Sequence, residues 1–520
     1  MKRILCFLLT AILVMGCFSM TATAQTPKIL SKETVQVALY QENSLQSETE
    51  EPTETVLDPR VGILAEGLYE GMKNFETKID VGDLRIVYED SADLQALVSE
   101  AIQWVKFYVP EFFYVDFGVK YSIWNYTYSD GHFELAYVDG VTYMATPEEL
   151  PEQTAAYERE IKKIVNYVSG KGLNDVQKIA LIHDYLVAHY EYDLDSKIYD
   201  AYGFLTEGKG VCEAYSKTFY ALMLRLGIES YCVVDDPHNH AWNLVKVGDD
   251  YFHVDCTHDD QTYDRFGMVS SKHQLLLVDD ATVVHHHSDQ YDWTSPTPGW
   301  KVLAKNVACQ NDEYASAPWH NSAYPLAYCD GDLYMMVNEG PTPDRASTTA
   351  SIYRLSADIK QDTKVATTKS PVWVAPNNEI WGSFYSGFFT VGDWLYLNHS
   401  DGLWAYNVQN GNTRKVNLPN EQQLYGSRYE GRGIVAFVTK APNQVNTYYQ
   451  TYYTHRLIVG DTDGDGLTTA VDLVDMRHYL LTEREVNVHE DMLDVNGDYK
   501  VNIHDLVHMK KRMLGDIPAF

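Results

Sequence analysis

Apolar residues recur at helical spacing through the first half of the chain and give way to alternation beyond it. Leu94, Leu97, Val98, Ala101 and Val105 share one face of a segment from Ala92 to Tyr108, which Pro110 ends. Residues 121–128 and 133–138 alternate aromatic and polar side chains and predict strands, with Asp139-Gly140 as a turn. Ile161, Ile164 and Val165 predict a helix over 155–167. The next helix opens at Asn174, with Gln177 three residues on, and carries the stripe Val176, Ile179, Ala180, His183 and Leu186 as far as His189. A third helix, Cys212 to Leu226, follows Gly208 and Gly210 and stops at Gly227. Strands over 230–234, 241–247 and 251–255 come after it.

From about 320 to 455 the pattern is short aromatic strands bounded by Gly-Asp, Asp-Gly and Asn-Gly turns, as in Gly331-Asp-Leu-Tyr and Asp401-Gly-Leu-Trp. This predicts an all-β domain, propeller-like or a sandwich, with a scaffold or binding role. Trp381, Trp394 and Trp404 could stack on sugar rings if exposed, but packing in a core is the commoner fate of such residues.

Composition narrows the picture. A chain of 520 residues exceeds one ordinary core and predicts a multidomain α+β protein. A formal charge of −32 excludes nucleic acid and anionic membrane as partners. Met1-Lys-Arg, the apolar run Ile4 to Met15 and Ala22-Thr-Ala24 predict a signal peptide over 1–24 and export from the cell. A lipid anchor at Cys17 is the second reading, and no later stretch is apolar enough to span a bilayer. Residues 25–60 read as a polar leader and 61–170 as an α+β lead-in domain. After cleavage Cys212, Cys232, Cys256, Cys309 and Cys329 remain, an odd number that flags a free thiol, with Cys212 the best candidate. Cys232 and Cys256 read as buried thiols or as a pair.

The chemistry lies in 171–310. Gly210-Val-Cys212 puts a thiol at the first turn of a helix, where unpaired N–H groups and the helix dipole favour thiolate. His240 begins a strand 28 residues later, and Asp255 ends the next one after the Gly248 turn. Neighbouring antiparallel strands can set His240 and Asp255 side by side, giving nucleophile Cys212, base His240 and orienting Asp255. His238, Asn239 and His253 read as structural or rim residues. Asp259-Asp260 reads as a loop fastener, a substrate-steering pair or a solvated surface. His285-His-His287 could bind a metal, but no Cys or carboxylate sits at matching spacing, and it reads as a surface run.

The motifs Gly-x-Cys at a helix start, His240-Ala-Trp-Asn and Val254-Asp-x-Thr resemble the transglutaminase-like superfamily of papain-related folds, over about 173–265. Pro110-Glu-Phe-Phe-Tyr-Val extends the likeness to 85–270. The resemblance implies a papain-like core with a Cys-His-Asp triad. Cys256 and His258 depart from the bacterial pattern and bear on substrate preference. The implied function is a secreted thiol acyl-transfer enzyme, a peptidase or amidase acting on peptide or protein substrates. The alternatives are a crosslinking transglutaminase and an inactive peptide- or glycan-binding module.

Two oxygen-rich loops stand 33 residues apart near the C-terminus, starting at Asp461 and Asp494. Each places Asp or Asn at positions 1, 3, 5 and 12, Thr or Asn at 9 and a backbone carbonyl at 7, which is ligand spacing for calcium. Residues 458–516 resemble a type I dockerin. That resemblance implies two calcium ions, held by Asp461, Asp463, Asp465, Leu467, Thr469 and Asp472, and by Asp494, Asn496, Asp498, Lys500, Asn502 and Asp505. Leu467 and Lys500 would give carbonyl oxygens. It also implies a cohesin partner on a scaffoldin and residence in an extracellular or cell-surface, cellulosome-like complex. The pairs before position 12, Ala470-Val471 and Ile503-His504, differ, so the two faces need not bind equally.

Overall fold

The computed structural model describes residues 29–35 (backbone), 57–235, 239–260, 273–291, 300–374, 378–381, 384, 386–391, 394–416, 423–431, 434–438, 452–456, 460–462, 468–482, 493–496 and 500–516. The predicted signal segment lies outside them. The chain forms two compact units: one takes the residues through Lys162, Asp193–Tyr251 and His287–Gln310, and the other takes Lys163–Tyr192, Phe252–His286 and the chain from Asn311 on.

The first unit opens with an antiparallel sheet of β1 (Ile29–Val35), β2 (Lys78–Asp80), β3 (Val87–Tyr88), β4 (Tyr121–Thr127) and β5 (Phe133–Asp139), in the order β1-β4-β5-β2 with β3 also on β5. The alternation that predicted β4 is kept, since Tyr121 and Ile123 are fully buried. Part of the expected polar leader is a strand: Ile29 lies opposite Thr127 and Val35 opposite Tyr121. An edge strand is held by backbone hydrogen bonds, which its polar side chains do not advertise. Helices Pro59–Lys73 and Ser91–Tyr108 follow. Each starts on an aspartate, Asp58 and Asp90, whose carboxylate accepts from first-turn amides.

Five further strands follow in the chain: β6 (Ser230–Asp235), β7 (His240–Val247), β8 (Asp250–Val254), β9 (Leu276–Val278) and β10 (Lys301–Val302). In the first unit β6 is flanked by β10 and β7, with Asp235 opposite His240 and Cys232 opposite Asn243. Strand β8 follows β7 in strand order and leaves this unit after Tyr251. In the second unit the end of β8 pairs with β9, Val254 opposite Leu276.

The second unit also contains the helix Asp175–His189, whose start is the capping box read from Asn174 and Gln177, with both reciprocal bonds formed. The region expected to be all-β is a run of antiparallel meanders: 327–371 in four strands, 388–415 in four and 426–456 in three. Trp373, Phe384, Leu395 and Leu397 pack in the core of the first two. Trp394 is buried under the Arg414 guanidinium, and Trp404 stacks on His399, so both are packing residues. At the C-terminus the helices Ala470–Thr482 and Ile503–Met513 share a small core of Met476, Leu493, Val495 and Met509. No helix among the described residues is long and apolar enough to cross a membrane.

Candidate active site and tail module

Cys212 is the first residue of a 15-residue helix that ends at Gly227 in the left-handed region, as the sequence predicts. The approach to it is tightly fixed. A Cβ on Gly210 would come within 2.7 Å of both the Ala214 Cβ and the Phe204 ring, so only glycine fits. The fully buried Asp193 carboxylate takes the amides of Lys197 and Ile198 and the ammonium of Lys209, while its own amide donates to the Gly210 carbonyl. Burial alone would raise the Asp193 pKa, but these donors outweigh it and hold the group below the ordinary carboxylate range.

The helix is locked onto β7 by polar bonds. Ser216 Oγ donates to the Trp242 carbonyl at 3.0 Å, and Asn243 Nδ2 donates to the Ser216 carbonyl at 3.1 Å. This fixes how far the start of the helix lies from the start of the strand. Cys212 and His240 are thereby brought to the same end: Cys212 Sγ donates to the carbonyl of Asn239 at 3.9 Å, one residue before His240. Asn239 has φ of 55°, a left-handed conformation that asparagine tolerates better than most residues. Both Cys212 and His240 are buried.

His287 is a residue that pattern reading missed. The His285–His287 run, expected at the surface, lies in the helix Asp280–Tyr291, with His285 exposed and His287 wholly buried. The His287 ring meets His240 edge-on at 5.2 Å and Trp242 at 5.1 Å, while His240 stacks on Trp242. One turn of a helix turns successive side chains toward different surroundings, which composition of the run does not reveal.

Next to Cys212 on the same helix, Glu213 is fully buried, with Lys106 at 2.5 Å on one oxygen and Lys217 at 2.5 Å on the other. Burial alone would raise the Glu213 pKa, but the two ammonium groups prevail and lower it. Lys217 also donates to the Tyr199 carbonyl. The cluster ties Ser91–Tyr108 to the helix carrying Cys212.

Asp255 lies in the second unit, at the end of β8. It is fully buried and caps the one-turn helix Cys256–Asp259, accepting from the His258 amide at 3.0 Å. Asp259 is a buried fastener, one of the readings its sequence left open: its carboxylate takes the Gln274 and Leu275 amides and faces His183 Nε2 at 3.1 Å. His253 is buried against Asp280 at 2.8 Å. Each of the five cysteines of the described residues is a buried thiol outside any disulfide, so the single-thiol expectation is corrected. Burial pushes the Cys232 thiol up to about 12 and the Cys256 thiol well above its ordinary value, which makes both inert packing groups.

In the tail, Asp461, Asp472, Asp494 and Asp505 are buried. The position-12 carboxylates close their loops in parallel ways. Asp472 accepts from the Thr462 and Thr469 amides, both at 2.6 Å, and Asp505 accepts from Asn496 at 3.1 Å and Asn502 at 2.9 Å. Four buried carboxylates in one small module fit a hard cation with oxygen ligands, which would offset the cost of burying them. The predicted ligands Asp463, Asp465, Leu467 and Asp498 lie outside the described residues.

Comparison with known families agrees with this division of the chain. Residues 162–256 match the transglutaminase-like superfamily and residues 459–514 match the dockerin type I domain, so a domain of each kind is present. No curated protein matches the chain. Among solved structures it is similar to a crystal structure of a TGase, at 16% identity and a TM-score of 0.19, over 26% of this chain and 43% of that one. A second is a candidate cysteine protease from Cytophaga hutchinsonii, at 18% identity and a TM-score of 0.17, over 26% of this chain and 61% of that one. The chain thus spans less than two thirds of either.

Proposed function

We propose that this chain is an exported, scaffold-docked thiol acyl-transfer enzyme that acts as a peptidase or amidase on peptide or protein substrates. The observation that carries the reading is the Cys212 thiol at the start of a 15-residue helix, 3.9 Å from the carbonyl of the residue preceding His240. His240 takes the thiol proton, and the sulfur attacks a carboxamide or peptide carbonyl. The helix N-terminus favours the anionic sulfur and the developing oxyanion. His240 returns the proton to the departing amine or ammonia, leaving a thioester on Cys212. Water then adds to the thioester and releases the acid and the free thiol. Asp255, at the end of the strand next in order to the one His240 opens, is assigned as the carboxylate that holds the ring. The burial of Cys212 and His240 keeps the reacting pair out of bulk water.

The assay is hydrolysis of fluorogenic casein together with ammonia release from a glutamine-containing peptide, with and without an added primary amine. Activity in the parent that disappears in Cys212→Ala supports the reading. Ammonia release accompanied by amine incorporation would make the enzyme a crosslinker, and a parent with neither activity and no labelling of Cys212 by iodoacetamide would leave only a binding module.

For the tail, type I dockerins generally bind calcium and dock to cohesins. We assign calcium to the two loops, with the ligands carried over above, and a cohesin as partner. Val471 on one helix and Ile503 on the other are more than half exposed, as a docking contact requires. Their different neighbours, Ala470 and His504, favour one docking face over the other.

A further inference from the structure

Behind Asp255 the second unit holds a buried network that the mechanism does not use. His183, on the helix Asp175–His189, is fully buried, with Nδ1 at 2.8 Å from Asp184 Oδ1 and Nε2 at 3.1 Å from Asp259 Oδ2. Asp184 also meets His273 Nε2 at 2.9 Å, and its other oxygen accepts the Leu326 amide at 2.6 Å. His273 Nδ1 faces the Ser322 carbonyl at 3.2 Å. His183, Asp184 and His273 have the composition of a cation site, with ligand atoms within 4.8 Å of one another. The arrangement argues otherwise. Both His183 nitrogens face carboxylate oxygen, which asks for N–H at both positions and leaves that ring no lone pair for a metal.

The network bears on Asp255 through a very short element. Asp255 caps a helix of four residues whose last is Asp259. One turn has no cooperative stability of its own, so its geometry is set by what grips its ends. At one end the Asp255 amide donates to the Leu275 carbonyl at 2.9 Å. At the other, Asp259 takes the Leu275 amide at 3.0 Å and is held from behind by His183. We propose that His183 is a positioning residue: it anchors Asp259, thereby fixing the turn that aims the Asp255 carboxylate.

The inference rests on the assignment of Asp255 as the orienting carboxylate, and a double-mutant cycle tests the two together. In the full-length protein, the rate of Cys212 alkylation by iodoacetamide is measured at pH 7 by peptide mapping, for the parent, His183→Gln, Asp255→Asn and the double variant. Each single change is expected to slow alkylation about tenfold, as for other residues that orient a reacting group from behind. The double variant is expected to be no slower than Asp255→Asn. Effects that multiply would mean that His183 does not act through Asp255, and the proposal falls. It falls likewise if Asp255→Asn slows the reaction and His183→Gln does not. No effect of Asp255→Asn would instead sink the assignment of Asp255, and the inference with it. If His183→Gln does not fold, Asp259→Asn, which removes the carboxylate that His183 holds, takes its place in the cycle. One equivalent of tightly bound zinc in the purified protein, lost in His183→Gln, would also overturn the proposal.

Discussion

At the scale of single residues, the most informative side chains lie away from Cys212 and His240. Burial alone would lower the His183 pKa, but Asp184 on its own helix and Asp259 on the neighbouring turn outweigh it and raise the group to about 9. The His273 ring stands 5.7 Å away. A histidine raised in the folded state contributes stability that is complete below its unfolded value of about 6.5 and is lost as pH rises through the folded value. Thermal stability of the parent should therefore fall between about pH 7 and pH 9.5, and His183→Gln should lack that limb. Parallel melting profiles for the two proteins across this range would show that His183 carries no such linkage. His183 was legible in part: a titratable residue on the apolar stripe Val176, Ile179, Ala180, Leu186 had to be buried. Its partner was not legible, because Asp259 is 76 residues away in the chain.

At the scale of elements, the helices were read well wherever local chemistry sets their ends. The Asn174 capping box and the Gly227 stop both stand where the pattern placed them. Asn174→Ala should cost about 1 kcal/mol in urea unfolding, the usual worth of an N-cap. Gly210→Val is a harsher test, since its side chain must enter space already filled by Ala214 and Phe204. A loss of about 1–3 kcal/mol and slower Cys212 alkylation are expected, as the approach to the thiol is displaced. Wild-type stability and reactivity in this variant would contradict the packing described. Two elements escaped the pattern for the same physical reason. Strand β1 is defined by the edge it pairs with, and the buried face of the Asp280–Tyr291 helix by what covers His287. Neither cause is local.

For the molecule as a whole, the thiol site and the tail rest on different forces. The tail has only a small apolar core, centred on Met476, Leu493, Val495 and Met509, and it buries four loop carboxylates. Without a cation those charges repel one another, so chelation should melt the module. We expect EDTA to remove the helical signal of the tail and abolish cohesin capture, while Cys212 alkylation stays within about twofold of its calcium-loaded rate. Cohesin capture that survives chelation would contradict the calcium assignment.

The helices with clean caps, the order Cys212, His240, Asp255 along the chain, and the two calcium-spaced loops were all readable from the residues alone. Each of these is written in residues a few positions apart, where periodicity and capping act. Packing between distant segments sets His287 on His240, Lys106 and Lys217 around Glu213, and His183 against Asp259, and keeps the five cysteines of the described residues out of disulfides. Those outcomes depend on which distant segments exclude water from one another, and burial of that kind leaves no mark on local spacing.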